Sequence, residues 1–161
     1  MFRTMRRARQ LLSPEATHTV LARCTNGILS CHGDDGYPYG VPVSYVYHND
    51  RIYFHSAAAG HKLDAITGNP KISFTVIDED TIISAEYTTY FRSAIAFGRV
   101  RVCAGDERIE AFRAMVEKYS GDRPDEEKAK EVAGCSAALI LAIDVDHLTG
   151  KEAIEYVRAR T

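Results

Sequence analysis

Through the first hundred residues the apolar side chains recur at every second position, the period of a half-buried strand. From Asp106 the spacing lengthens to three and four, the period of an amphipathic helix. One early exception is "SPEATHTVLARC", where Ser13 as N-cap, Pro14 at the first helical position and Glu15 in the first turn predict a helix that stops at "TNG". "ILSCHGDDGYPYG" then reads as a strand, an Asp-Asp-Gly turn and a returning strand. "VPVSYVYHNDRIYFH" holds two more strands around His48-Asn49-Asp50. The two-residue period puts Val41, Val43, Tyr45 and Tyr47 on one face, and Pro42, lacking an N–H, marks an edge or a bulge.

A short helix is expected over 60–67, closed by "GNP", followed by "KISFTVI", a strand with Ile72, Phe74 and Val76 on one face. "DED" reads as a charged turn. "TIISAEYTTYFRSAIAFGRVRVC" supplies two strands or one long bent one, with Gly98 at a bulge or a close backbone approach. Ile109, Phe112, Val116 and Tyr119 form the stripe of a helix capped by Gly105-Asp106. The charged run "SGDRPDEEKAKEVAG" is a loop or a weak helix, and "ALILAIDVDHL" is a strand buried on both sides. Six or seven antiparallel strands in mostly hairpin order, with two or three short helices, give a mainly β (α+β) barrel with peripheral helices. The chain is read as one domain over residues 1–161, with 1–12 a basic arm.

Composition narrows the partners. The chain has 161 residues and 45% hydrophobic residues, and 20 Lys and Arg against 22 Asp and Glu leave a net charge of −2. That balance advertises neither nucleic acid nor an anionic membrane, and no segment approaches the ~20 apolar residues of a span. A cytoplasmic protein is expected. Cys24, Cys31, Cys103 and Cys135 form no C-x-x-C pair and show no zinc spacing, so no metal site and no disulfide is expected, with Cys103 and Cys135 as small core residues. No serine sits in a Gly-x-Ser-x-Gly elbow, and glycine fingerprints for dinucleotides or a P-loop are absent. Paired carboxylates fall only in turns and charged helix.

One corner stands apart, "FHSAAAGHKLDAI". A strand ends at His55-Ser56, and a helix begins at Gly60-His61-Lys62. Cations in a helix's first turn oppose its dipole, and an anion held between dipole and ammonium removes the conflict. The corner is either a tight turn with solvated basic side chains or a phosphate cradle of Ser56, His61 and Lys62. His55 could line a flat ligand or bind haem, and the "GVPVSYVY" strand could wall a planar ring.

The succession "GVPVSYVYHNDRIYFHSAAAGHKLDAITGNPKISFTVI", "YFRSAIAFGRVRV", "ERIEAFRAMVEKY" and "ALILAIDVDHLTGKEA" resembles the pyridoxamine 5′-phosphate oxidase-like, FMN-binding split barrels, in particular the branch of 5-nitroimidazole-resistance proteins. Its most specific part is Tyr53-Phe54-His55-Ser56 followed by Gly60-His61-Lys62-Leu63. The resemblance implies a homodimer with FMN at the subunit interface. Ser56, His61 and Lys62 would take the phosphate, while Pro42, Val43, Ser44, Tyr45 and His55 would border the ring and ribityl chain. Ser93 and the Gly150-Lys151 pair would come from the partner subunit. His61 departs from the arginine common in such proteins. The implied activity is FMN-dependent reduction of a small electrophile, possible substrates including nitroaromatics, with NAD(P)H as a donor. Haem or deazaflavin binding, or a flavin module without turnover, are the alternatives.

Overall fold

Seven strands among the described residues form one antiparallel sheet, and the strands at its two edges are consecutive in sequence. The computed structural model describes residues 1–135 and 138–160. The strands are β1 (Asn26–His32), β2 (Pro38–Ser44), β3 (Val46–His48), β4 (Arg51–Ser56), β5 (Lys71–Ile83), β6 (Thr88–Val102) and β7 (Leu139–Glu152). They are ordered β2-β1-β5-β6-β7-β4-β3. Because Tyr45 alone joins β2 to β3, the sheet must curl until its edges meet, which makes a split barrel. The helices are α1 (Pro14–Arg23), α2 (His61–Gly68), α3 (Gly105–Ser120), α4 (Asp125–Gly134) and α5 (Ile154–Ala159).

Local chemistry accounts for most of the elements. The Ser13 hydroxyl accepts the Ala16 N–H at 3.2 Å and starts α1. Asn49 and Asp50, both at positive φ, turn the β3–β4 hairpin. Leu29, Phe74 and Ala96 meet across β1, β5 and β6 in the barrel interior, each fully buried. Along β7 the consecutive residues Ile140, Leu141, Ala142 and Ile143 are all buried, because one face of the strand lines the barrel while α3 lies over the other. The pairing of β6 with β7 shifts register at Phe97/Gly98, and a side chain at Gly98 would sit 2.3 Å from the Asp144 carbonyl. That is the close approach the glycine signalled.

Three expectations are corrected. Asp78-Glu79-Asp80 is not a turn: β5 runs through it with a bulge between Ile77 and Glu79, and the chain reverses at 84–86. The carboxylates find partners, Asp78 in Arg23 and Glu79 in Arg92 at 2.9 Å, so the charges do not force an exit to solvent. The single face predicted for Val41 through Tyr47 breaks at Tyr45, where the chain crosses between the sheet edges and both Tyr45 and Val46 become buried. In α3 the middle of the predicted stripe holds, Val116 buried and Phe112 packed against the core, but its ends Ile109 and Tyr119 are exposed, because the buried face runs through Ala111 and Met115 instead. Cys103 is buried and Cys135 half-buried against the core, and all four cysteines are free thiols.

At the start of α3 a charged cluster ties it to the barrel. The Arg101 guanidinium donates to Glu107 at 2.6 and 2.7 Å and to Asp144 at 2.7 Å, and Arg51 donates to Asp144 at 2.7 Å. Hydrogen bonds from Arg101 hold both carboxyls below their usual range. A lowered folded-state pKa contributes stability that is present at neutral pH and lost as pH falls below the ordinary carboxylate value of about 4. The melting temperature is therefore expected to fall more between pH 7 and pH 3 for the native chain than for Arg101→Met. Equal falls in a pH series of thermal melts would show that the cluster does not couple to folding.

Candidate functional site

The corner between β4 and α2 is built by backbone first. Gly60 sits at φ 127°, a region side chains other than glycine's rarely adopt, and nothing lies within 4 Å of where a Cβ would be. Glycine is needed there for conformation and not for space. Its carbonyl accepts the Leu63 and Asp64 N–H groups at 2.9 and 3.1 Å, and no side chain caps α2. The N–H groups of the first turn thus remain available to a ligand.

Ser56, the last residue of β4, is buried, and its hydroxyl has no hydrogen-bond partner among the described residues. Lys62 folds back so that its Nζ stands 5.7 Å from the centre of the Phe54 ring. Among the described residues it has no carboxylate partner, and burial pulls its pKa below the ordinary lysine value. A half-buried ammonium beside uncapped N–H groups is an arrangement that favours an anion. His61 is placed differently. Its ring stacks on Tyr39 at 4.2 Å, and its Nε2 lies 3.5 Å from Asp34, which ties the corner to the β1–β2 turn.

The "VPVSY" segment meets this corner from the other edge of the sheet. Pro42 and Ser44 are exposed on the outer face of β2, and Val43 is half-buried on the inner one. Ser44 and His55 line the same 480 Å³ groove, so the two segments singled out in the sequence do converge. Tyr45 does not present its side chain there. Its ring is fully buried, its hydroxyl donates to the Leu21 carbonyl at 2.6 Å, and burial pushes the phenol well above its usual pKa. The Tyr119 hydroxyl accepts the Tyr45 N–H at 2.8 Å and reaches the Tyr45 carbonyl at 2.7 Å, pinning the crossing point. Tyr45 therefore shapes the site from within the core.

Ser93 and Lys151 pair with each other across β6 and β7 and share the outer sheet face with Pro42 and Ser44. Ser56 of the corner pairs with Leu139, and Lys151 lies at the other end of β7, roughly 40 Å of strand away, so one chain does not bring the pair to the corner. The same face carries the part-exposed apolar residues Ile28, Ile95 and Phe97. Missed in the sequence were the groove's far walls, Phe112, Met115 and Tyr119 of α3, Arg123 in the link that follows it, and Glu127 and Lys128 of α4. A helical stripe signals burial but not a neighbouring cavity, and a charged run such as α4 reads as solvated surface. Among the described residues no group of three or more His, Cys, Asp or Glu side chains could hold a metal ion. None of their helices is long and apolar enough to cross a membrane.

Comparison with known proteins follows the geometry. The family model described as pyridoxamine 5′-phosphate oxidase matches residues 13–152. The chain is 28% identical over 153 residues to uncharacterized protein RA0666 of Rhizobium meliloti (strain 1021), covering 89% of this chain and 95% of that protein. A crystal structure of a candidate 5-nitroimidazole antibiotic resistance protein from Bacteroides thetaiotaomicron superposes with a TM-score of 0.72 at 20% identity, over 88% of this chain and 86% of the other. An FAD and haem binding protein from Mycobacterium smegmatis superposes with a TM-score of 0.67 at 21% identity, over 95% of this chain and 80% of the other. At such identities the two structures speak for the fold.

Proposed function

The chain belongs to the pyridoxamine 5′-phosphate oxidase family, and on that premise we propose that it is an FMN-dependent oxidoreductase reducing a small electrophile such as a nitroaromatic. The observation that carries the reading is Lys62, a half-buried cation with no acidic partner among the described residues, at an uncapped helix start that follows Ser56, whose buried hydroxyl has no hydrogen-bond partner among them. These groups fit a phosphate monoester. Ser56, Lys62 and the first-turn N–H groups would hold it, with His61 at the rim, and the outer edge of β2 (Pro42, Ser44) with His55 would border the flavin ring. Bound flavin supplies the capacity to take up and pass on a pair of electrons. The protein's own residues then position, hydrogen-bond and exclude water, which fits a site without a nucleophilic triad or an acid–base carboxylate pair.

The outer sheet face, with Ile28, Ile95 and Phe97 part-exposed, supports assembly of two copies. A second copy would bring Ser93 and Lys151 to the flavin that one chain leaves half-enclosed. NAD(P)H is the proposed donor. A visible spectrum of the purified protein, followed by titration with FMN under fluorescence, tests the reading. Saturable quenching near a single FMN per chain, and bleaching of the bound flavin by anaerobic NAD(P)H, are expected. Absence of FMN binding overturns the proposal. The M. smegmatis neighbour makes FAD and haem the rival ligands, and a Soret band or an exclusive response to FAD would put one of them in place of FMN.

A further inference from the structure

We propose that the groove between α3, α4 and the β2–β4 junction is a substrate chamber that selects uncharged, largely apolar ring compounds over anions. Its part in turnover rests on the flavin reading above, but its binding selectivity comes from the chain alone. The 480 Å³ volume suits one small molecule. Phe112, Met115, Val116 and the Tyr119 ring supply apolar walls, and Ser44 and His55, which border the proposed flavin position, close one end.

The charges around this groove decide what it accepts. Arg123 is held by Glu127 at 2.7 Å, and Lys128 by Glu117 at 2.8 Å and Asp125 at 3.1 Å. Glu131 has no partner among the described residues. The groove's own charged lining is Arg123 and Lys128 against Glu127 and Glu131, and both cations are already paired, Lys128 by Glu117 and Asp125 from outside the groove. An anion entering would meet no free cation among the described residues, and the one unpaired charge it would meet is the Glu131 carboxylate. The Tyr119 hydroxyl is committed to the Tyr45 backbone and also engages the Ser44 hydroxyl, so among the described residues the polar side chains left open are those of Ser120 and His55. A neutral ring with one or two acceptors can use them and bury the rest of its surface on α3. The phosphate corner and this groove therefore divide the labour, the first taking an anion and the second rejecting one.

Two probes with the same ring test this at pH 8: 4-nitrobenzyl alcohol, uncharged, and 4-nitrobenzoate, an anion. Each is titrated calorimetrically into the protein with and without FMN. The alcohol is expected to bind about tenfold or more tightly than the acid, because only the acid brings a charge to the carboxylate rim. Met115→Trp and Ser120→Trp each fill the groove and should weaken the alcohol by about tenfold or more while FMN affinity stays unchanged. Ser120 is half-exposed, so its variant carries the test if Met115→Trp fails to fold. Glu131→Lys should narrow the gap between the probes. Equal affinities, tighter binding of the acid, no binding of either, or undiminished affinity in the folded tryptophan variants would overturn the proposal. A protein that binds the alcohol with the expected selectivity but not FMN would instead remove the flavin reading and leave the chamber standing. Binding of FMN with neither probe would do the reverse.

Discussion

Lys62→Ala should weaken FMN binding by about ten- to over a hundredfold, the consequence of deleting a charged partner of a phosphate, worth roughly 1.5–3 kcal/mol. The size follows from the surroundings. Lys62 is partly desolvated and among the described residues has no carboxylate partner, so a bound phosphate would meet an ammonium that none of them neutralises. The same fact predicts an opposite effect on the free protein. A lysine whose folded-state pKa is lowered carries a cost in its protonated form at neutral pH, relieved only as pH rises past the folded value toward the ordinary one. Lys62→Met removes that cost and keeps the apolar stem over Phe54. Its ligand-free melting temperature should equal or exceed that of the native chain, while its FMN affinity falls as far as that of Lys62→Ala. Thermal melts and fluorescence titrations on the two variants separate binding from folding. Unchanged FMN affinity in Lys62→Ala would remove Lys62 from the site.

What could be read in the sequence and what could not divides along a physical line. Period and punctuation are local, so the strands around Asp34-Asp35 and Asn49-Asp50, the Ser13-capped helix and the Gly60 corner were all legible before any coordinates. The convergence of Ser44 with His55 was reached through the family resemblance, since nothing in spacing says that β2 and β4 meet when the sheet closes. Failures came where distant partners override local preference. "DED" reads as a turn until Arg23 and Arg92 are seen to neutralise Asp78 and Glu79. Tyr45 reads as one more residue of an alternating strand until its hydroxyl is found on the Leu21 carbonyl. The groove under α3 and α4 had no local signal, because a cavity is a property of how elements pack.

Tyr45→Ala is expected to be the most destabilising single change near the site. The ring is fully buried, meets Phe74 edge-on at 5.0 Å and receives the Lys118 ammonium at 4.4 Å. Aromatic-to-alanine changes in a core cost about 3–5 kcal/mol, a large share of the total of about 5–15 kcal/mol that holds a domain folded. The melting temperature should drop by roughly 6–20 °C. Tyr45→Phe keeps the ring and deletes only the hydroxyl, leaving the Leu21 carbonyl without its donor, for about 1–2 kcal/mol. The pair also tells what Tyr45 does for the site. If it acts by pinning the crossing between the two sheet edges, Tyr45→Phe retains FMN affinity while its melting temperature falls modestly. A Tyr45→Phe protein of native stability that has lost FMN would mean that the hydroxyl reaches the ligand, and that the crossing opens further in the bound protein than the buried ring allows here.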